Sequence, residues 1–277
     1  MANSTASIKS LNAAAQGAGP SHDLEEIKKQ CSQLHLPGLS KYFEDNCGSA
    51  EFAGLGMQDL VWHLLNAELS SRQSRRYTRL RAEARLPSFI RIHELAERLP
   101  QLGLSKSKLD MLVSGKWCDS GSLLLLTGKS GTGKTDFMCG LLDGFAWEGM
   151  RTRYYDYSTM MLYLSTLLSA GSLDAYRREI AAICRNRAVA LDDMMIAAKR
   201  SLEENCLKDL LDAALQSGTG IIIASQAPIG SWYSYFGGGI SADAVMDRLM
   251  RNTYRIEFGG ESRRARPVTD LGGADGR

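Results

Sequence analysis

No two cysteines stand in a C-x-x-C arrangement. The six present, Cys31, Cys47, Cys118, Cys139, Cys184 and Cys206, are scattered along 277 residues. That spacing excludes a zinc ribbon and offers no disulfide framework, so they read as reduced, mostly core thiols of a cytoplasmic protein. The four histidines are dispersed too, which leaves no histidine-based metal site. No apolar run approaches the length of a membrane span, so no membrane partner is expected. The stretch "MANSTASIKSLNAAAQGAGP" has neither the apolar core of a secretion signal nor the arginines of a transit peptide. A strong charge of one sign is also missing. The formal net charge is +2, so a nucleic-acid surface would have to come from local clustering.

What is present has the apolar share, 44%, and the charged share, 23%, of a water-soluble globular protein. Residues 1–21 and 267–277 read as disordered tails. Residues 22–86 read as a small helical domain: a helix, a break at Pro37-Gly38, a second helix, and a long third one closed by Pro87. Residues 87–120 read as a linking segment with a short helix. From 121 to 266 the texture alternates. "SLLLLT", "TRYYDY", "AVALDD", "GIIIAS" and "TYRIEF" are strand-like, and amphipathic helical stretches separate them. Such alternation predicts an α/β fold, with a parallel sheet covered by helices on both faces. Ligands of such sheets sit beyond the carboxyl ends of the strands.

At one such end stand Gly128, Lys129, Ser130, Gly131, Thr132, Gly133, Lys134 and Thr135, which fit G-x-x-x-x-G-K-[ST] at every fixed position. The glycines let the backbone curl and leave room for a ligand against its N–H groups. The helix that follows adds the positive end of its dipole. Lys134 supplies a point charge for β- and γ-phosphates, and Thr135 a hydroxyl for Mg²⁺, which takes few protein ligands. The loop predicts ATP and Mg²⁺ as cofactors. A glycine-rich turn without a ligand is the alternative.

"AVALDD" ends in Asp192 and Asp193. An acidic residue on a neighbouring strand holds the Mg²⁺ shell in phosphate-loop proteins, and Asp192 is suited to that. Asp193 can then orient an attacking water, which suits hydrolysis to ADP. A turn or helix cap is the plainer reading of the same pair. Gln226, after "GIIIAS", can stand between the γ-phosphate and that water, or simply open a loop before Pro228. Arg72, Arg75, Arg76 and Arg79 recur at helical spacing and form one face, a candidate nucleic-acid or partner contact. The alternatives there are a solvated face or internal ion pairs.

Taken together, "RLRAEARLP", "GKSGTGKT", "LDD", "IIIASQAPIGSWYSYFGG", "AVMDRL" and "RIEFGGESRR" resemble the IstB family. These are ATP-binding helpers of insertion-sequence transposition, AAA+ proteins of the P-loop NTPase class, close to DnaC-type helicase loaders. The resemblance implies Asp192 as the Walker-B acid and Asp193 at the position of the catalytic glutamate. It implies Gln226 at the sensor-1 position, Arg248 as an arginine finger and Arg264 at sensor 2. It also implies a homo-oligomer formed with ATP on double-stranded DNA, a partner transposase, and no full carboxyl-terminal lid. A helicase loader, with a replicative helicase as client, and a binding switch with little hydrolysis are the alternative readings. Three positions depart from the family pattern: Asp193 where glutamate is usual, Gln226 where asparagine is usual, and Asp136 after the loop threonine. Slow hydrolysis is therefore expected.

Overall fold

The computed structural model describes residues 23–98, 104–196 and 202–259. Both expected tails, and Arg264 with them, lie outside the described residues. The chain divides into two compact units at Arg75/Arg76. In the first unit α1 (Leu24–Gln33) starts at Asp23, whose carboxylate caps the Glu26 N–H at 2.8 Å. Then α2 (Pro37–Asn46) begins with proline, whose missing N–H costs nothing in the first turn. A single turn, α3 (Ala50–Ala53), precedes the long α4 (Met57–Ala84).

The boundary expected near Leu86 falls earlier, inside α4. The reason is a buried carboxylate, Asp143, which is 2% exposed. It accepts from the Tyr77 hydroxyl at 2.6 Å and the Ile92 N–H at 3.0 Å, and it pairs with Arg81. These bonds tie the last turns of α4 to the second unit. The expected linking segment carries its short helix and more structure besides. It forms α5 (Ile92–Arg98), α6 (Lys106–Val113), which is the expected helix, and a 3₁₀ turn (Lys116–Ser120). Leu95, Leu109, Leu112, Trp117 and Cys118 from this stretch are buried in the core of the second unit. Its apolar residues are too few to look periodic, yet they are enough to pack.

The rest of the second unit alternates as the sequence predicts. In chain order it runs β1 (Leu123–Gly128), α7 (Lys134–Trp147), β2 (Thr152–Asp156), α8 (Tyr157–Ser169) and α9 (Leu173–Ile183). It continues with β3 (Ala188–Met194), α10 (Glu203–Ser217), β4 (Gly220–Ser225), a short α11 (Trp232–Tyr235), α12 (Gly239–Met250) and β5 (Thr253–Phe258). The strands form one parallel sheet in the order β2-β3-β4-β1-β5. Leu123 and Leu125 pack to one face, and Leu124 and Leu126 to the other. Ile221, Ile223 and Ile222 of β4 divide in the same way, because side chains alternate along a strand. Both faces are covered, which is why these strands are unbroken apolar runs.

Breaking the Asp143 cluster should be costly. Asp143→Ala leaves the Arg81 guanidinium without its buried partner, so a loss of about 3–5 kcal/mol is expected. Urea unfolding checks this, and a loss below about 1 kcal/mol would mean that the pair is worth no more than an exposed one.

Candidate nucleotide site

The phosphate loop connects the carboxyl end of β1 to the amino end of α7. Gly128 has φ 145° and Gly133, the residue before the helix, has φ 101°. A Cβ on Gly128 would come within 2.4 Å of the Phe258 carbonyl oxygen, so only glycine fits between the loop and β5. Lys134 is 6% exposed. Its ammonium donates to the carbonyls of Gly128 at 2.6 Å and Lys129 at 2.8 Å, folded back across the loop. The Thr132 hydroxyl closes the turn on Lys129 O at 2.9 Å.

Beside the loop, the ladder between β3 and β4 breaks. Leu191 pairs with Ile223 and Met194 with Ser225, so the register shifts across Asp192 and Asp193. Asp193 takes a left-handed backbone, φ 59°. Such an irregularity re-aims side chains that a regular strand would send to opposite faces. Asp192, 1% exposed, accepts on one oxygen from the Thr135 hydroxyl at 2.7 Å and the Tyr154 phenol at 2.9 Å. Its other oxygen accepts the Asp193 N–H at 2.9 Å. Burial, and then the Asp192 charge, push the Tyr154 phenol above its ordinary range, so it stays a proton donor. Burial likewise raises the Asp193 carboxyl, with Asp192 adding to it. A hydrogen bond from Gln226 and the charge of Lys134 offset part of the rise.

Asp193 and Gln226 line a cavity of ≈ 200 Å³ with Ser130, Gly131, Gly133, Lys134, Thr135 and Asp136. The structure thus brings the loop, Asp193 and Gln226 together around one space, with Asp192 directly behind Thr135. Arg248 is not among them. It lines a separate small pocket with Gly121, Leu123 and Asp212. There its guanidinium meets Asp212 at 2.6 and 2.9 Å, which raises its already high pKa. Arg72 lies 2.7 Å from Glu68, and Arg75 lies 3.7 Å from the same carboxylate. Arg76 donates to Gly149 O at 2.6 Å and Arg79 to Glu83 at 3.0 Å. The arginine face is therefore partly neutralised from within.

Two contributors were not legible in the sequence. Tyr154 is one of two adjacent tyrosines, and only its place opposite Ala190 in the β2–β3 ladder, with its hydroxyl on Asp192, marks it out. Ser225, fully buried, donates to Met194 O at 2.9 Å and accepts from the Ala227 N–H at 3.1 Å. It thereby staples the Gln226 loop to the end of β3. Trp232 adds an indole bond to Ala227 O at 3.0 Å. Asp136 accepts from the Ser88 hydroxyl at 3.1 Å, joining the stretch before α5 to the rim of the cavity.

Among the described residues no group of three or more His, Cys, Asp or Glu could hold a metal by itself. One hydroxyl and one fixed carboxylate form a partial donor set, of the kind Mg²⁺ takes when nucleotide phosphates supply other ligands. The residues present fit that ion and a nucleoside triphosphate. No described helix is long and apolar enough to cross a membrane.

A phosphate loop at the end of β1, paired acids in the last residues of β3 and a polar residue after β4, on a β2-β3-β4-β1-β5 sheet, define a P-loop NTPase of the AAA+ type. The chain belongs to the family described as IstB-like ATP binding protein, whose model matches residues 29–269. A Sinorhizobium fredii protein named as an insertion sequence ATP-binding protein is 27% identical over 83% of this chain and 92% of its own length. The ATP-binding protein named for insertion sequence IS1162 of Pseudomonas fluorescens is 29% identical, over 72% of this chain and 84% of that one. Among solved structures, the DnaC helicase loader overlaps 55% of this chain and 87% of its own, at TM-score 0.45 and 13% identity.

Lys134→Ala is expected to abolish ATP binding in titration calorimetry, because it removes the buried ammonium that lies across the loop. Equal affinity in the variant would remove the basis for a nucleotide site.

Proposed function

We propose that the chain hydrolyses ATP with Mg²⁺, assembles with ATP on double-stranded DNA, and there recruits or stimulates the partner transposase of an insertion sequence in the cytoplasm. The enzymatic half rests on one observation: Asp193, held by Gln226, faces the same cavity as Lys134 and Thr135. The transposition half rests on the family and on relatives named for insertion sequences.

Lys134 leaves its carbonyl partners to neutralise the β- and γ-phosphates, alongside the N–H groups of the loop. Thr135 and Asp192 would hold Mg²⁺, which would supply charge neutralisation of the transferring group. Asp192 holds the Thr135 hydroxyl in place and is itself fixed by Tyr154. Asp193 orients a water for in-line attack and accepts its proton. Gln226 keeps the Asp193 carboxylate aimed at that water. Arg248, remote from its own site, serves the site of a neighbouring copy, and Arg264 acts as sensor 2.

A second reading, a binding switch with little turnover, draws on Asp193 itself. Its side chain is one methylene shorter than glutamate, and a misplacement of about 1 Å can cost ~10²-fold in rate.

Three variants separate these readings. Asp193→Asn should lower kcat by about 10²–10⁴, the usual worth of a general base. Because the Asp193 pKa is raised, its charge is lost on acidification at a higher pH than for an ordinary aspartate. The wild-type rate should fall as pH drops through that raised value, and the Asn variant should lose this acid limb. Asp193→Glu is expected to match or exceed the wild-type rate. A flat pH–rate profile from pH 5 to 8, with no change in either variant, would remove Asp193 from the mechanism.

Arg248→Ala should lower hydrolysis, by up to about 10³-fold as for an arginine supplied in trans, while ATP affinity holds. Specific activity should also rise with protein concentration. Activity independent of both would exclude a shared site.

A further inference from the structure

The charges of the second unit are sorted along the strand direction. Asp136, Asp156, Asp192 and Asp193 lie at the carboxyl edge of the sheet. The arginines gather at the opposite edge. Arg151 and Arg187 precede β2 and β3, and the Arg187 N–H donates to Arg151 O at 2.7 Å. Arg185, two residues earlier, is exposed and takes part in no ion pair among the described residues. Arg76 reaches the same edge through Gly149 O, just before β2. Arg79 and Arg151 share one carboxylate, Glu83, at 3.0 and 3.4 Å, and remain 62% and 60% exposed. Arg187 pairs with Asp119 at 2.6 Å, and Lys116 stands exposed in the same turn. Glu83, Asp119 and the exposed Glu148 are fewer than the cations around them.

We propose that this amino-terminal edge, through Arg76, Arg79, Arg151 and Arg185, is the surface on which the phosphate backbone of double-stranded DNA docks. The inference rests on the DNA reading above and moves its centre. Arg72 and Arg75 are drawn onto Glu68, so the free charge lies away from that end of the arginine face. The carboxyl edge carries four aspartates, and its loop lysine is committed to the nucleotide's phosphates, so it offers a duplex backbone little free positive charge. A polyanion is attracted to the edge where arginines outnumber acids. The strands separate these two anion sites, so DNA and nucleotide bind together without competing for the same cations. Contacts of this kind set position and affinity and carry no sequence information.

The test is binding of a DNA duplex by the full chain with ATP, followed by fluorescence anisotropy across a KCl series. Arg151→Ala/Arg185→Ala removes two exposed cations and, with Arg151, one ion pair to Glu83, which keeps Arg79. It should flatten the slope of log K against log salt by about 1.8, from ~0.9 per phosphate contact. Arg151→Lys/Arg185→Lys should keep the slope, and Glu148→Lys should steepen it. ATP affinity should be unchanged in all three. Wild-type slope and affinity in the alanine variant would overturn this placement and leave DNA binding intact. Weaker binding at an unchanged slope would overturn it too, since no phosphate contact would have been lost. Failure of the wild-type chain to bind duplex at any salt would overturn the DNA reading itself, and this surface with it.

Discussion

Asp192 carries a charge in a place that water does not reach. A buried carboxylate is tolerated only when its oxygens are well supplied with hydrogen bonds. Three donors from three elements meet that need: Thr135 at the start of α7, Tyr154 of β2, and the backbone of Asp193. The same bonds hold the phosphate loop to the end of β3. The requirement of one buried group therefore fixes the relation between the part that grips phosphates and the part that faces the water. The β3–β4 register shift serves it, because an unbroken ladder would leave Asp192 and Asp193 on opposite faces of the sheet. Ser225 binds across that break and carries Gln226 to Asp193.

Asp143 repeats the device lower on α7. It draws Tyr77, Arg81 and the start of α5 onto the helix that begins at the phosphate loop. Ser88 does the same near the top, through Asp136. Tyr77 and Arg81, in the last turns of α4, thus meet α7 at Asp143, and Ser88, beyond the end of α4, meets its first turn. Asp136, directly after the loop threonine, has a structural use here as the acceptor for Ser88.

Charge placement adds a second constraint. The parallel sheet puts all carboxyl ends on one side and all amino ends on the other. Acids collect at the carboxyl ends, beside the phosphate loop, and arginines where strands begin. A net charge of +2 hides this separation, since the two groups nearly cancel in the sum.

The phosphate loop was legible because its glycines and Lys-Thr pair answer to local backbone geometry, which spacing alone encodes. The five strands were legible for a related reason: runs such as Leu123–Leu126 and Ile221–Ile223 are apolar on both faces. Asp192 and Asp193 could be found as a pair at a strand end. Their division into one buried anchor and one cavity-facing group could not, because it depends on a register shift against another strand. Tyr154 and Ser225 escaped because their partners lie 38 and 31 residues away. The unit boundary escaped because Asp143 lies 66 residues from Tyr77, and a helix pattern does not say where its ends are anchored. The arginine spacing in α4 was plain, but which guanidiniums stay free depends on Glu68, Glu83 and Gly149, brought near by folding. Local geometry is written in neighbouring residues, whereas the partners of buried charges are chosen only when distant segments pack.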